Sequence, residues 1–213
     1  MSDLPPEQPL TLMQVDYCVT QAARQYPGTS PWMVKTLLAV EGGQIGTIRK
    51  NTDNSYDLGP MQINTIHLSD IYRNLGITVR ELVFDACKNI SAGTWLLSKH
   101  MKDADGRYWL AMGNYHSKTP SRRAAYLKKV AEAYSRLVVG SRTGRESEAL
   151  GRSTNWGREP SMVVPSLARL EELVNNNPGA IQAPVRRPIA RQEPPKPKVV
   201  TIDNRRKTLR FID

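Results

Sequence analysis

The sequence predicts an all-α domain over residues 10–140, preceded by a short extension (1–9) and followed by a basic, proline-rich tail (141–213). Three observations predict it. Apolar residues in the first part recur every three or four positions between successive helix starts and stops. No segment there carries the sustained two-residue alternation of a strand, and residues 44–58 leave room for a minimal β-hairpin or irregular loop. Composition also divides the chain: residues 1–140 hold 12 of the 14 aromatics, whereas 141–213 hold 8 of the 15 prolines and only Trp156 and Phe211. About 140 residues suffice to bury more than half of their unfolded surface. The tail's composition does not, so it is expected to be largely unfolded.

Leu10 to Tyr26 places Leu12, Val15, Val19, Ala22 and Ala23 at helical spacing, and Pro27-Gly28 stops it. Ser30 before Pro31 reads as an N-cap with proline in the first helical position. That helix runs to Glu41, where Gly42 and Gly43 supply a left-handed termination. Residues 44–58 are polar, and Asn51 to Ser55 read as loop. Ile66 to Leu75 forms a helix closed by Gly76, and Thr78 with Glu81 makes a capping box. A helix beginning near Ala86 presents Ile90, Thr94, Leu97 and Met101 on one face. Arg107–His116 and Pro120–Val139 complete the set, the last with Leu127, Val130, Ala131, Tyr134 and Val138 inward and Gly140 as its stop. In the tail, Leu167, Leu170 and Val174 mark a short amphipathic helix at 166–176, too short to persist alone in water. Residues 184–198 read as an extended linker, and 198–202 and 208–212 as two extended segments.

No stretch approaches 18 consecutive apolar residues, which excludes a transmembrane helix. Met1 to Leu10 has neither a basic start nor an apolar run, so no signal peptide is expected as written. The chain then works in the cytosol, has lost a leader, or is exported by another route. Cys18 and Cys87 are the only cysteines. Two thiols without paired histidines cannot build a structural zinc site, and His67, His100 and His116 lack metal-ligand spacing, so no metal or cofactor is expected. The cysteines are either buried reduced thiols or a disulfide whose loop of about 70 residues would contribute roughly 4 kcal/mol. Both lie in helical patterns, which favours the bridge and an oxidising compartment.

Glu41 is the informative residue. Val34, Leu37, Leu38 and Glu41 share one helix face, so a carboxylate completes an apolar stripe at the helix C-terminus. Burial and the helix dipole both oppose its charge, and a carboxyl that keeps its proton near neutral pH is what a general acid requires. The other reading ends the helix early enough for Glu41 to swing into water. Spacing alone leaves the two even.

Downstream blocks favour the acid. Asp57-Leu58-Gly59-Pro60-Met61-Gln62-Ile63-Asn64 leads from the polar loop into a helix start. Asn89-Ile90 opens a later helix with Gly93 behind it, and Asn114-Tyr115-His116-Ser117 ends the next. In this order the blocks resemble the soluble lytic transglycosylase domain, the lysozyme-like glycoside hydrolase family 23, over residues 10–137. Each block alone is weak, but four in order are specific. The cysteine positions and the Tyr-His-Ser variant resemble the envelope-localised subset that serves type IV secretion, conjugation and pilus systems.

The resemblance implies a lysozyme-like helical fold and a peptidoglycan substrate. It implies that Glu41 protonates the oxygen between N-acetylmuramic acid and N-acetylglucosamine, then takes the proton of the muramyl C6 hydroxyl as a 1,6-anhydro ring closes. Gly59, Met61, Gln62, Asn89 and Tyr115 are the implied substrate-binding residues, with Asp57 and His116 as auxiliary candidates. The implied location is the periplasm or cell envelope. Departures are Gly42 for the family's Ser, Pro60 for Leu and His116 for Asn.

Other function classes remain as expectations. The tail's 14 basic and 8 acidic residues supply +6 of the total +10, which suits phosphate binding, but it lacks aromatic interleaving, so no specific nucleic-acid partner is expected. A hydrolytic lysozyme of the same fold would yield reducing ends. A non-catalytic wall-binding scaffold would recruit secretion-system subunits through residues 141–213, by the helix at 166–176 or the segment 198–212.

Overall fold

The computed structural model describes residues 4–144 and, as backbone, two strands at 200–203 and 208–211. The first helix, α1 (Leu12–Gln25), begins at a reciprocal cap: Thr11 Oγ1 accepts from the Gln14 amide at 3.2 Å while Gln14 Oε1 accepts from the Thr11 amide at 2.9 Å. It buries Val15, Cys18, Val19 and Ala22, the expected stripe with Cys18 added, while Leu12 stays exposed.

Helix α2 (Pro31–Glu41) is the centre of the domain. Met33, Val34, Thr36, Leu37, Leu38, Ala39 and Val40 are all buried, because α1, α6 and α7 surround it, and only Pro31, Trp32, Lys35 and Glu41 keep some exposure. Ser30 occupies the N-cap position, but its hydroxyl makes no capping bond, contrary to the sequence reading; Pro31 alone starts the helix.

Residues 44–64 hold the hairpin for which the sequence left room at 44–58, extended by a third short strand. A three-stranded antiparallel sheet, β1 (Ile48–Lys50), β2 (Tyr56–Leu58) and β3 (Ile63–Asn64), runs in sequence order. Ile48 pairs with Leu58, and Leu58 with Ile63. The block at 57–64 is therefore strand, turn and strand, with the helix starting only afterwards. Strands of two or three residues are too short to show alternation.

A single 3₁₀ turn (Thr65–His67) leads into α3 (Leu68–Leu75), ended by Gly76 at φ 66°. Helix α4 (Val79–Phe84) carries the predicted capping box, with the Glu81 amide 3.2 Å from Thr78 Oγ1 and Glu81 Oε2 2.8 Å from the Thr78 amide. Helix α5 (Ala86–Asp103) buries Ile90, Thr94 and Leu97 as predicted and packs along α1. A disulfide between Cys18 and Cys87 joins those two helices, with Cα atoms 4.8 Å apart. Helix α6 (Tyr108–His116) and helix α7 (Pro120–Thr143) close the bundle.

Two expectations for α7 fail. The buried face is Tyr126, Val130, Ala133, Leu137 and Gly140, whereas Ala131 and Tyr134 are exposed. Gly140 lies inside the helix, and Gly144 at φ 70° ends it. Residues three and four apart on the observed stripe face α2 and α6 without interruption, and the exposed Tyr134 ring together with Leu127 and Val138 shifts the apolar sequence pattern about a quarter turn away.

Strands β4 (Val200–Asp203) and β5 (Thr208–Phe211) form an antiparallel pair with Val200 opposite Phe211, close to the extended segments expected there. The helix expected at 166–176 and the linker at 184–198 lie outside the described residues. Among the described residues no helix is long and apolar enough to cross a membrane.

Candidate active site

Glu41 is the last residue of α2, half-buried where the helix meets the sheet. Two glycines follow for different reasons. Gly42 takes φ 60°, the left-handed cap, and its carbonyl receives Arg49 Nη2 at 3.5 Å. Gly43 permits a close approach: a Cβ there would collide with the Gly59 carbonyl and sit 2.7 Å from Gln62 Nε2. The turn between β2 and β3 can therefore press against the end of the helix carrying the carboxyl.

That turn, Gly59 to Gln62, is held rigidly. The Gln62 amide reaches the Gly59 carbonyl at 3.1 Å and its side-chain Nε2 reaches the same oxygen at 2.8 Å. Asn89, wholly enclosed, donates to the carbonyls of Leu58 at 2.9 Å and Leu82 at 2.8 Å and accepts from the Met61 amide at 2.7 Å. These bonds occupy both ends of its side-chain amide, so Asn89 clamps the turn and does not face a sugar, which corrects its assignment as a substrate contact. The Met61 side chain is likewise core: it fills the space above Gly93, where a Cβ would lie 2.9 Å from Met61 Cε. Only its backbone faces the site, through a carbonyl that accepts from Tyr115 Oη at 3.1 Å.

Gln62 stands in a left-handed conformation, φ 48°, rare for a residue with a side chain. Its Oε1 is enclosed and has no hydrogen-bond partner among the described residues. An unmet buried acceptor costs about 1–3 kcal/mol. The left-handed backbone and the unpartnered acceptor thus fall on one residue, in the turn packed against Gly43.

The second half of the site comes from α6 and α7. Arg123 Nη1 donates to Asn114 Oδ1 at 3.0 Å, locking the start of α7 to the end of α6. One turn further on, Tyr126 Oη donates to Glu41 Oε1 at 2.5 Å. His116 lies flat on the Tyr126 ring, centroids 4.7 Å apart and planes 6° from parallel. Burial pushes the Tyr126 and Tyr115 hydroxyls well above the ordinary tyrosine range, and the negative charge of Glu41 pushes both further. Both phenols therefore remain donors at any working pH.

Asp57 has another place. Its Oδ1 accepts from Asn51 Nδ2 at 3.0 Å and Asn64 Nδ2 at 2.9 Å, and the residue is 7% exposed. It ties the β1–β2 turn to β3 and so supports the turn beside Glu41. Among the described residues, no group of three or more His, Cys, Asp or Glu side chains is placed to hold a metal ion.

The structure thus gathers Glu41, Gly59, Gln62, Tyr115, His116 and the Met61 backbone into one region, with Asn89 and Asp57 behind it. Sequence reasoning missed Tyr126. Its signal was present: Tyr126, Val130, Ala133, Leu137 and Gly140 continue one helical stripe, and a tyrosine heading such a stripe brings a hydroxyl to its end.

Over 96 residues the chain is 38% identical to "Invasion protein IagB" of Salmonella typhimurium, covering 43% of this chain and 59% of the relative. The same identity and coverage hold for IagB of Salmonella typhi. The chain therefore spans about three fifths of the length of those curated relatives. It is also 32% identical over 132 residues to a "Peptidoglycan-binding-like protein" of Escherichia coli O157:H7, covering 56% of this chain and 77% of the relative. Residues 18–136, more than half of the chain and nearly all of the helical domain, match the model of the transglycosylase SLT domain, so the chain belongs to that lysozyme-like family.

Proposed function

We propose that this protein is a peptidoglycan lytic transglycosylase in which Glu41 is both acid and base. The observation that carries the reading is the carboxyl at the end of a buried helix, held by the Tyr126 hydroxyl and faced by the Gln62 turn. Glu41 donates its proton to the glycosidic oxygen as the muramyl C1–O bond breaks. The substrate's own 2-acetamido oxygen stabilises the sugar cation. The carboxylate then takes the proton of the C6 hydroxyl while O6 closes on C1, giving the 1,6-anhydro product. One proton leaves Glu41 and one returns, and no water is consumed.

Tyr126 fixes the Glu41 carboxyl, because a short bond to one oxygen removes rotamer freedom from the reacting group. Tyr115 supports the Met61 carbonyl, and Gln62 offers its unmet Oε1 to an N–H or O–H of the sugar. Asp57, engaged by two amides, supports the single-carboxyl scheme and not a two-carboxylate mechanism.

The disulfide and the family's substrate favour the periplasm or cell envelope as the working compartment. The cysteine pair and the Tyr115-His116-Ser117 variant favour a role in opening the wall locally for a secretion, conjugation or pilus apparatus, with residues 141–213 recruiting its subunits. The decisive experiment digests purified sacculi with the wild type and Glu41→Gln. Anhydro-muropeptides from the wild type alone are expected. Products heavier by one water would mean hydrolysis, and equal products from both proteins would remove Glu41 from the chemistry.

A further inference from the structure

A second feature lies at the other end of α2, unused by the catalytic reading. Trp32 in the first turn of α2 packs against Tyr108 at 5.6 Å, Trp109 at 6.1 Å and Tyr134 at 5.2 Å between ring centroids. Tyr108 also meets Trp109, and Trp109 meets Tyr134. The planes cross at 52–87°, so the rings hold one another in edge-on or tilted positions. Even so, Tyr108, Trp109 and Tyr134 are 46%, 37% and 37% exposed. Trp32 is nine residues before Glu41, about 14 Å along the axis and on the opposite face of the helix.

Two cavities open on this cluster and share Trp32 and Tyr134. One of about 600 Å³ also contains Ser30, whose hydroxyl is enclosed and has no partner among the described residues. The other, about 410 Å³, is rimmed by Lys35 and Arg142. Lys35 pairs with Asp16 at 2.7 Å, and Arg142 stands exposed in the last turn of α7. Both volumes fall in the range of small-ligand sites, roughly 300–1,000 Å³.

We propose that this cluster is a second saccharide-binding site, which takes an acidic, N-acetylated stretch of glycan away from the bond being cleaved. It rests on the peptidoglycan reading above and names a further contact with the same polymer. The chemistry of the surface selects this occupant. Fixed aromatic faces suit the C–H faces of pyranose rings, and the exposed Arg142 guanidinium at the rim suits muramyl and peptide-stem carboxylates. A hydrocarbon surface or an apolar helix would cover the Arg142 guanidinium without offering it a partner. The remote position matters too: a strand held here stays attached while its cleaved end leaves Glu41.

The test uses the full chain carrying Glu41→Gln, so that bound glycan is not consumed, and purified sacculi in a pelleting titration. Adding Trp109→Ala or Tyr134→Ala, each at an exposed position, should weaken binding about tenfold, the size of losing one stacking ring; Trp109→Phe should restore most of it. In the otherwise wild-type chain, the same alanine variants should cleave short soluble muropeptide oligomers normally and whole sacculi more slowly. Unchanged sacculus binding by both variants, with melting curves like the parent's, overturns the proposal. So does self-association in sedimentation that the alanines abolish while glycan binding persists, since the cluster would then join two copies. If the wild type cleaves nothing yet binds sacculi through Trp109, the enzymatic reading fails while this site stands.

Discussion

Tyr126 Oη and Glu41 Oε1 lie 2.5 Å apart although 85 residues separate them in the chain. The contact exists because α2 and α7 pack side by side with Glu41 at the end of one and Tyr126 one and a half turns into the other. The end of a largely buried helix and the head of an apolar stripe thus meet at their polar tips. Each side chain is fixed by core packing a turn away, so the geometry of the carboxyl is set before substrate arrives.

Tyr126→Phe keeps the ring under His116 and removes only the donor. Hydrogen bonds to charged groups are worth about 1.5–3 kcal/mol, so kcat on sacculi should fall by about 10- to 100-fold with KM little changed. Steady-state kinetics check this; a rise in KM at constant kcat would instead assign the hydroxyl to substrate binding.

Asn89→Leu should strike both stability and activity. It leaves the Met61 amide and the carbonyls of Leu58 and Leu82 without their enclosed partner. Unmet buried groups of this kind cost about 1–3 kcal/mol each. Calorimetry should show a Tm lower by about 10 °C or more for a domain of this size, and cleavage should suffer even at temperatures where the variant stays folded.

Alkaline pH should destabilise the domain through its two enclosed phenols. In the folded state both titrate well above the ordinary 10.0, while in the unfolded chain they ionise near it. Below about pH 10 both states keep the protons and the difference has no effect. Above it the unfolded chain binds fewer protons than the folded one, so stability falls as pH rises. Denaturant titrations from pH 8 to 11.5 should show that decline, and Tyr115→Phe should make it shallower.

Reduction of the Cys18–Cys87 bridge should lower stability without touching the site. The bond closes a loop of 69 residues, for which the chain-entropy relation gives about 4 kcal/mol. Urea melts with and without a reductant, compared with a Cys18→Ala/Cys87→Ala variant, measure it. Equal midpoints would show that the helices alone hold α1 on α5.

Gly43→Ala should move the turn that Gly42 leaves alone. The added methyl enters space held by the Gly59 carbonyl and Gln62 Nε2, so glycan cleavage should drop at least tenfold, a shift on the order of the 1 Å misplacements that cost 10²-fold. Normal activity would show that the turn's distance from Glu41 does not matter.

Much of this was legible in the sequence wherever a local rule decided the structure. The Thr78–Glu81 cap, the left-handed Gly42 and Gly76, and the helix starting at Ala86 each follow from a few neighbouring residues. The stripe of α2 left Glu41 even between a buried and a solvated carboxyl, and the downstream blocks drew attention to it; it lies half-buried at the helix end. What could not be read depends on contacts between distant segments. Strands β1–β3 are too short for any pattern and exist because the turn at 59–62 is clamped by Asn89 from α5. The face of α7 was misjudged because exposed Tyr134 and half-buried Leu127 and Val138 are as apolar as the residues that turned inward. Asn89 looked like a sugar contact from its motif, and only the three backbone groups around it show its task.

Glu41 is anchored to α2, seven of whose eleven residues are buried. With the carboxyl fixed to that helix, heating should leave turnover intact until the bundle melts, and then end it abruptly. Inactivation and loss of helical ellipticity should therefore trace one superimposable curve.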